Sequence, residues 1–303
     1  MKLRRLATAA AGLAAIGVFP ATAFAHAPAL LYSSLTPTVD ANYLPSEGPE
    51  AYSFDELGNQ ITLSSSSQVA HVIVQMSSWG CGVSGAWNTD NCVTNPGTKF
   101  TEPITLTIYN APASDPQTQA DTVGSGLPGA QILSITKTFS IPYRPSANNT
   151  RCQGSSPYAG AGAFYDSKLG ACFAGLATSI NFNLTTLHET LPQNIVFGIS
   201  YNTSDYGYAP YGDGTGCYTS STGCPYDALN IGLSDDPTNL NAGSDPYAGG
   251  MYQDGIYGGD YCDGGAAGTG TFRFDSPSTP SCWAEQFYGT DGYYVPAIEF
   301  TTT

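Results

Sequence analysis

Basic side chains are scarce in this sequence. Nine Lys and Arg stand against 24 Asp and Glu among 303 residues, so the formal net charge is −15 at pH 7. Such an acidic surface repels nucleic-acid phosphates and anionic lipid headgroups. The charge balance therefore argues against a nucleic-acid partner. It is compatible with solubility outside the cell, with divalent cations and with neutral ligands.

The residues that zinc sites and serine triads need are also lacking. The only histidines are His26, His71 and His188, and neither a C-x-x-C pair nor a G-x-S-x-G stretch occurs. Structural zinc needs four closely spaced Cys or His ligands, and a serine nucleophile needs a histidine base. We predict instead that His71 is a strand residue and that His188 is a turn residue.

No pair of acids with catalytic spacing stands out. A glycoside hydrolase needs two carboxyl groups that flank the scissile bond. The seven glutamates, among them Glu56 in FDELG, have no spacing that defines such a pair. No catalytic residue is assigned, and glycan cleavage stays an alternative function.

The first 25 residues have the pattern of a secretory signal peptide. Lys2, Arg4 and Arg5 precede an apolar run, and the small residues Ala23 and Ala25 mark a cleavage site before residue 26. The alternative is an uncleaved membrane anchor, for which the run is short. Cleavage leaves six Lys and Arg against 24 Asp and Glu, a net charge of −18. We expect a protein that is secreted, extracellular or loosely associated with the cell surface, with no membrane insertion after cleavage.

All eight cysteines lie beyond this leader. An even number of cysteines in an exported chain indicates disulfides, although eight cysteines allow many connectivities. Pairing of nearest neighbours along the chain predicts four bridges, each closing one local loop: Cys81–Cys92, Cys152–Cys172, Cys217–Cys224 and Cys262–Cys282.

Helical periodicity is nearly absent, and β-branched runs alternate with Gly, Pro, Asn and Ser clusters, which predicts an all-β protein. The candidate strands are residues 53–63, 69–79, 103–111, 132–143, 176–184, 194–203, 228–234 and 295–302. We expect them to form a two-sheet antiparallel sandwich or jelly roll with long disulfide-stapled loops. We expect this sandwich to be a single domain over residues 26–303, with a Gly/Asp/Tyr-rich insertion at 235–294. The predicted core residues are Ile104, Leu106, Ile108, Ile180, Phe182, Leu184, Val196, Phe197 and Ile231.

Several segments carry a family resemblance. They include WGCGVSGAW, IPYRPSA and GISYNTSDYGYAP. Their succession over about residues 40–234 resembles a group of exported bacterial β-sandwich proteins. The resemblance implies export and a β-sandwich, and it implies no activity and no catalytic residue.

An aromatic, acidic stretch follows the strand at 194–203. YNTSDYGYAPYGDGTGC spans residues 201–217 and contains four tyrosines and no basic residue. Tyrosine rings stack on sugar faces while carboxylates bond sugar hydroxyls, and loops on a rigid scaffold often carry such sites. The alternative is a loop that packs its own tyrosines. The predicted ligand-binding residues are Asp205, Tyr206, Tyr208, Tyr211, Asp213, Tyr226, Asp227 and Trp87.

Calcium is the candidate structural ion. From residue 201 onward there are 13 Asp and Glu and one basic residue, Arg273. Calcium prefers six to eight oxygen ligands, although no EF-hand loop occurs and Asp-Gly pairs are also ordinary turn sequences. The candidate ligands are Asp213, Asp235, Asp236, Asp260 and Asp263.

These observations favour a binding protein. We expect an exported monomer that takes a neutral carbohydrate through the acidic aromatic loop and requires no cofactor. The alternatives are a glycan-cleaving hydrolase and a structural surface protein without a small ligand.

Overall fold

The structure is a computed structural model of the 303-residue chain. It describes residues 28–35, 44–49, 54, 56–85, 90–116, 126–152, 162–201, 229–234, 240–247, 250–254, 271–275 and 295–302. Within these ranges no helical segment is long and apolar enough to cross a membrane.

The regular elements of the described residues are all strands. They are β1 (Leu30–Ser33), β2 (Ser46–Glu47), β3 (Glu56–Thr62), β4 (Ser67–Gln68), β5 (His71–Ser78), β6 (Lys99–Asn110), β7 (Gln131–Pro142), β8 (Phe164–Asp166), β9 (Ala171–Phe173), β10 (Leu176–Asn183), β11 (Thr190–Leu191), β12 (Asn194–Tyr201), β13 (Leu229–Ser234), β14 (Met251–Gln253), β15 (Arg273–Asp275), β16 (Val295–Pro296) and β17 (Ile298–Thr301). Each of the eight predicted segments contains a strand, so the all-β prediction is confirmed.

Two antiparallel sheets contain most of these strands. The seven-stranded sheet has the order β1-β17-β5-β13-β16, with β10 paired to β5 and β2 paired to β13. The six-stranded sheet has the order β15-β14-β3-β12-β6-β7. The short pairs β4–β11 and β8–β9 form two further small sheets. This arrangement is consistent with the predicted sandwich.

One hydrophobic core receives side chains from both large sheets. In β6, Ile104, Leu106 and Ile108 are buried in it, and on the seven-stranded sheet Ile180 and Phe182 of β10 join them. Successive side chains of a strand point to opposite faces, so this period of two places one face of each sheet on the core. Eight of the nine predicted core residues lie in this cluster.

Val196 is the exception, and the prediction for it is wrong. It is buried, but it packs with Tyr252 and Phe274 in a separate cluster. The reason is that Phe197, the next residue of β12, points into the main core. Neighbouring residues of one strand cannot share a face, so Val196 lies on the opposite face of the six-stranded sheet.

The sequence pattern also missed two strands within the stretch 235–294. Here β14 pairs with β3, with Tyr252 opposite Gly58, and β15 pairs with β14. Before them, Ala242 bridges to Ser33 of β1 and Ser244 bridges to Thr62 of β3. Residues 240–247 and 250–254 therefore link the two sheets along the edge of β3.

Two of the predicted disulfides are present. Cys81 is bonded to Cys92, and Cys152 is bonded to Cys172. No cysteine of the described ranges is free. The other four cysteines, at positions 217, 224, 262 and 282, lie outside the described residues, so their pairing stays a prediction.

Arg144 lies between the two disulfide-closed loops. Its backbone N–H donates to the carbonyl oxygen of Gly80 over 3.2 Å. Its guanidinium donates to the carbonyl oxygen of Gly162 and lies 5.4 Å from the ring centroid of Phe164. Burial lowers the pKa of Arg144 to about 10. The buried guanidinium therefore binds a carbonyl oxygen and an aromatic face of the Cys152–Cys172 loop, and the backbone N–H of the same residue binds Gly80, which directly precedes the Cys81–Cys92 loop.

Candidate ligand-binding site

The sequence-predicted ligand residues fall outside the described part of the chain. This applies to the aromatic, acidic set Asp205, Tyr206, Tyr208, Tyr211, Asp213, Tyr226, Asp227 and Trp87. It applies equally to the remaining calcium candidates Asp235, Asp236, Asp260 and Asp263. Both assignments stay predictions.

The two ends of the segment that carries the tyrosines are described, and they are close together. Tyr201 ends β12, and its phenol donates a hydrogen bond of 2.5 Å to the carbonyl oxygen of Leu229, the first residue of β13. The chain therefore leaves the six-stranded sheet and enters the seven-stranded sheet at nearly the same place.

The two assigned histidines occupy the predicted settings. His71 lies in β5, with its Nδ1 atom 3.3 Å from Oδ1 of Asn181 in the neighbouring strand β10. His188 lies between β10 and β11 and has a φ angle of 53°. The strand prediction for His71 is confirmed, and His188 directly follows the turn at residues 185–187.

A different group of acidic and aromatic side chains lies on the face of the six-stranded sheet that points away from the core; we call it the outer face. Glu56 of β3 and Tyr109 of β6 are half-buried there, with β12 between them. The Tyr109 phenol donates to Oε1 of Glu56 over 3.2 Å and lies 3.4 Å from Oε2. We call this pair, with the neighbouring Asp254, the Glu56 site.

Gly198 makes the contact between Glu56 and Tyr109 sterically feasible. It lies in β12 beside Gly58 of β3, and a Cβ atom at residue 198 would overlap the Glu56 carboxyl group. Because glycine has no side chain, the Glu56 carboxyl can lie over β12 and reach the Tyr109 hydroxyl two strands away.

Asp254 adds a second carboxyl group to the site. It follows β14 directly, and its Oδ1 accepts a 2.7 Å hydrogen bond from the backbone N–H of Glu56. Desolvation, and then the charge of Asp254, raise the pKa of Glu56 to about 7 against the opposing hydrogen bond from Tyr109. Burial, and then Glu56, raise the pKa of Tyr109. Glu56 therefore exchanges its proton near neutral pH and can donate or accept a hydrogen bond.

Aromatic rings pack beside the Glu56 site. Phe272 lies 5.6 Å from the ring of Tyr109 and 5.5 Å from the ring of Tyr252. Phe274 contacts Tyr252 and Tyr247, both at 5.6 Å between centroids. Such tilted and edge-to-face contacts are favourable for aromatic pairs. The rings attach β14 and β15 to the sheet and place half-buried aromatic surface next to two carboxyl groups.

Asp245 precedes β14 and binds this part of the chain to β3. Its Oδ2 accepts 2.8 Å from Nδ2 of Asn59 in β3, and its Oδ1 accepts 2.9 Å from the backbone N–H of Tyr247. Desolvation raises the pKa of Asp245 to about 6, against these hydrogen bonds. Asp245 and Asp254 therefore bracket β14, and both bind it to β3.

Glu102 is a further buried acid, and it does not belong to the Glu56 site. It lies in β6 in register with Phe139 of β7. It is on the same face of the strand as Phe100 and Ile104, which point into the core. Desolvation raises its pKa to about 8. Its side chain points inward, so we assign it no ligand.

Within the described ranges, no group of three or more His, Cys, Asp or Glu side chains could hold a metal ion. Neither a family model, nor a curated protein, nor a solved structure matches the chain.

The sequence contained part of the signal for the Glu56 site. Alternation in ITLTIYN places Tyr109 on the face opposite Ile108, which predicts a polar outer face. The pairing of β3 with β12, and of β12 with β6, was not readable from local patterns. The meeting of Glu56 with Tyr109 and with Asp254 was therefore missed.

Proposed function

We propose that the protein is an exported binding protein for a neutral carbohydrate, and that the Glu56 site contributes to the binding surface. One observation carries the proposal: a half-buried carboxyl group, bonded to a tyrosine hydroxyl, lies beside half-buried aromatic rings on the outer face of a sheet. Sugars offer the complementary groups, which are hydroxyls for the acid and apolar C–H faces for the rings.

The protonation behaviour of Glu56 supports a neutral ligand. With a pKa of about 7, the carboxyl group can act as donor or acceptor toward a sugar hydroxyl at neutral pH. An anionic ligand would meet Asp254 and an acidic chain with a formal net charge of −15. A neutral ligand avoids this repulsion.

The leader pattern and the disulfides support export. Residues 1–25 carry the features of a secretory signal peptide, and disulfides persist chiefly in oxidising compartments outside the cytosol. N-terminal sequencing of protein recovered from the medium should give His26 as the first residue. Recovery of the full-length chain in membranes would contradict cleavage.

The experiment that tests binding is a glycan-array screen of residues 26–303, repeated with Glu56→Gln and Tyr109→Phe. Each variant removes one hydrogen-bonding function with little change of shape. We expect weaker binding of the same glycans in both. Glu299→Gln is the matched control, because Glu299 lies in β17 of the other sheet and the substitution makes the same change of a carboxyl group to an amide.

A second arm separates the Glu56 site from the loop surface predicted from the sequence. Tyr206→Ala/Tyr208→Ala removes two rings of that surface. Loss of binding in this double variant alone would assign the ligand to the loop. Loss in the Glu56 and Tyr109 variants alone would assign it to the outer face. Wild-type protein that retains no neutral glycan would contradict the proposal.

Glycan cleavage is the second candidate, and one observation favours it. Near neutral pH Glu56 holds a proton next to a second carboxyl group, which is the condition a general acid needs. Incubation of bound glycans with the protein should then release new reducing ends, and Glu56→Gln should abolish the release. Intact glycan after long incubation would leave binding as the function.

A further inference from the structure

The outer face next to Glu56 carries a row of hydroxyl side chains that runs across the strands. In the register of the sheet, Glu56 of β3 lies opposite Ser200 of β12, Ser200 opposite Thr105 of β6, and Thr105 opposite Thr136 of β7. We call Ser200, Thr105 and Thr136 the hydroxyl row. The row begins at the Glu56 site and ends at the edge strand of the described sheet.

The hydroxyl row is accessible. Ser200 and Thr105 are half-buried, and Thr136 is exposed. The Oγ1 atoms of Thr105 and Thr136 lie 2.7 Å apart, and a parallel pair, Thr107 and Ser134, has its hydroxyl oxygens 3.2 Å apart. In the Thr105–Thr136 pair one hydroxyl donates to the other, so lone pairs and one proton remain free for a ligand.

No charged side chain interrupts the row. The outward positions of β6 and β7 around it are threonines, serines and Pro103, while the lysine of β7, Lys137, points inward and donates to the carbonyl oxygen of Asn183 in β10. The outward lysine of β6, Lys99, is exposed six positions away from Thr105, so the hydroxyl row itself carries no charge. In a chain with a net charge of −15, such an uncharged row is complementary to a neutral ligand.

The dimensions of the row match a chain of sugars better than a single ring. Neighbouring strands lie about 4.8 Å apart, so the four strands from β3 to β7 place Glu56 about 14 Å from Thr136. A single pyranose ring spans only part of this distance. A linear oligosaccharide laid across the strands can bond the hydroxyl row along its length and reach Glu56 with one end.

We propose that the hydroxyl row binds an extended stretch of a linear neutral glycan, whose end lies at the Glu56 site. This inference rests on the proposed function and deepens it, because it specifies a polymeric ligand and the direction in which it lies. Ser200, Thr105 and Thr136 supply subsites that a monosaccharide at Glu56 does not reach.

The test is the dependence of affinity on ligand length. Linear glucan, xylan and mannan oligomers of graded length are titrated calorimetrically against wild type and against Thr105→Val/Thr136→Val, which removes two hydroxyls without loss of volume. In wild type, affinity should rise with oligomer length. In the double variant the longer oligomers should lose about 5- to 50-fold, the equivalent of one or two hydrogen bonds, while the shortest ligand binds as before.

Thr138→Val is the matched control. Thr138 lies on the same face of β7 one row further, is exposed, and faces Pro103, which has no hydroxyl. Its substitution should leave the length dependence intact. If the double variant does not fold, Thr136→Ala on the exposed edge strand tests the same contact.

The outcomes separate the two levels of the proposal. Binding that is lost in Glu56→Gln but keeps its full length dependence in the threonine variants overturns the hydroxyl row and leaves the proposed function standing. An equal loss in Thr138→Val also overturns the row. Wild-type protein that binds none of the glycans on the array or in the oligomer series overturns the proposed function and the row together.

Discussion

At the scale of single residues, three acids of the described ranges keep their protons toward neutral pH. Desolvation is the first cause for each, raising the pKa of Asp245 to about 6, of Glu56 to about 7 and of Glu102 to about 8. In the unfolded chain these groups ionise at their ordinary values, since nothing desolvates them. Between the ordinary and the raised pKa values, the folded protein holds more protons on these three groups than the unfolded chain does. Their contribution to the stability of the fold therefore falls as the pH rises through this interval.

Glu102 gives the clearest pH prediction. Its contribution is intact below the ordinary pKa of 4.5 and is lost as the pH rises through about 8, because the unfolded state loses its proton first. One such group lowers the free energy of unfolding by at most about 1.4 kcal/mol per pH unit. Glu102→Gln should flatten urea-unfolding free energies measured from pH 5 to 8. Glu299→Gln is the control, and an unchanged slope in Glu102→Gln would contradict the assignment.

Phe182 tests the core at the same scale. Its side chain is fully buried, and its ring meets Phe139 of the opposite sheet edge-on at 4.9 Å. Phe182→Ala should lower the free energy of unfolding by about 3–5 kcal/mol, since it leaves a cavity between the sheets. The exposed Ser179 of the same strand, changed to Ala, provides the comparison. Equal denaturant midpoints for the two variants would show that Phe182 is misplaced.

At the scale of elements, the paired glycines of β3 and β12 should respond differently to a methyl group. A Cβ atom at residue 58 would overlap the carbonyl oxygen of Phe197, which the sheet holds in place. At residue 198 it would overlap the Glu56 carboxyl, which can rotate away. Gly58→Ala should therefore cost about 1–3 kcal/mol or more by urea unfolding, and Gly198→Ala clearly less.

The displaced carboxyl offers a second measurement. In Gly198→Ala the Glu56 side chain should leave the Tyr109 hydroxyl and gain water, so its pKa should fall toward the ordinary value, as followed by NMR titration. Gly58→Ala should leave that pKa raised in whatever fraction stays folded. The reverse order of stabilities would contradict the described register of β3 and β12.

The strand pattern explains how much of the fold was readable from the sequence. Long alternating runs, such as residues 103–111, predicted β6 and its buried face, because a period of two needs only local information. β14 and β15 were missed because strands of three residues are too short to show a period. Val196 was misassigned because its apolar neighbour Phe197 obscured the alternation.

The candidate site could be predicted from the sequence to a smaller extent than the strands, because it depends on which strands pair. Glu56 and Asp254 are 198 positions apart and meet only because β14 pairs with β3. Strand order is a property of the assembled sheets, and no local spacing encodes it. Residues 201–217 are unusual in composition, with four tyrosines, two aspartates and no basic residue, but composition carries no information on strand order.

At the scale of the whole molecule, the described disulfides follow a local rule. The bridges Cys81–Cys92 and Cys152–Cys172 span 11 and 20 positions, so each closes a local loop. We expect the same rule for Cys217–Cys224 and Cys262–Cys282. A non-reducing peptide map of the secreted protein should therefore show four local cross-links. A free thiol, or a link between Cys81 and Cys217, would contradict this expectation.

The place of β17 in the seven-stranded sheet has a consequence for the order in which the protein assembles. β17 lies between β1 and β5, so strands from opposite ends of the described chain are neighbours. Contacts this distant in sequence form late and slowly, because the closure of a long loop precedes any gain in contacts. Until residues 298–301 are in place, β1 has no strand partner in the described sheet, and residues 71–74 of β5 are open to other chains along one edge. A chain still being synthesised is therefore exposed to edge-to-edge aggregation until β17 is in place.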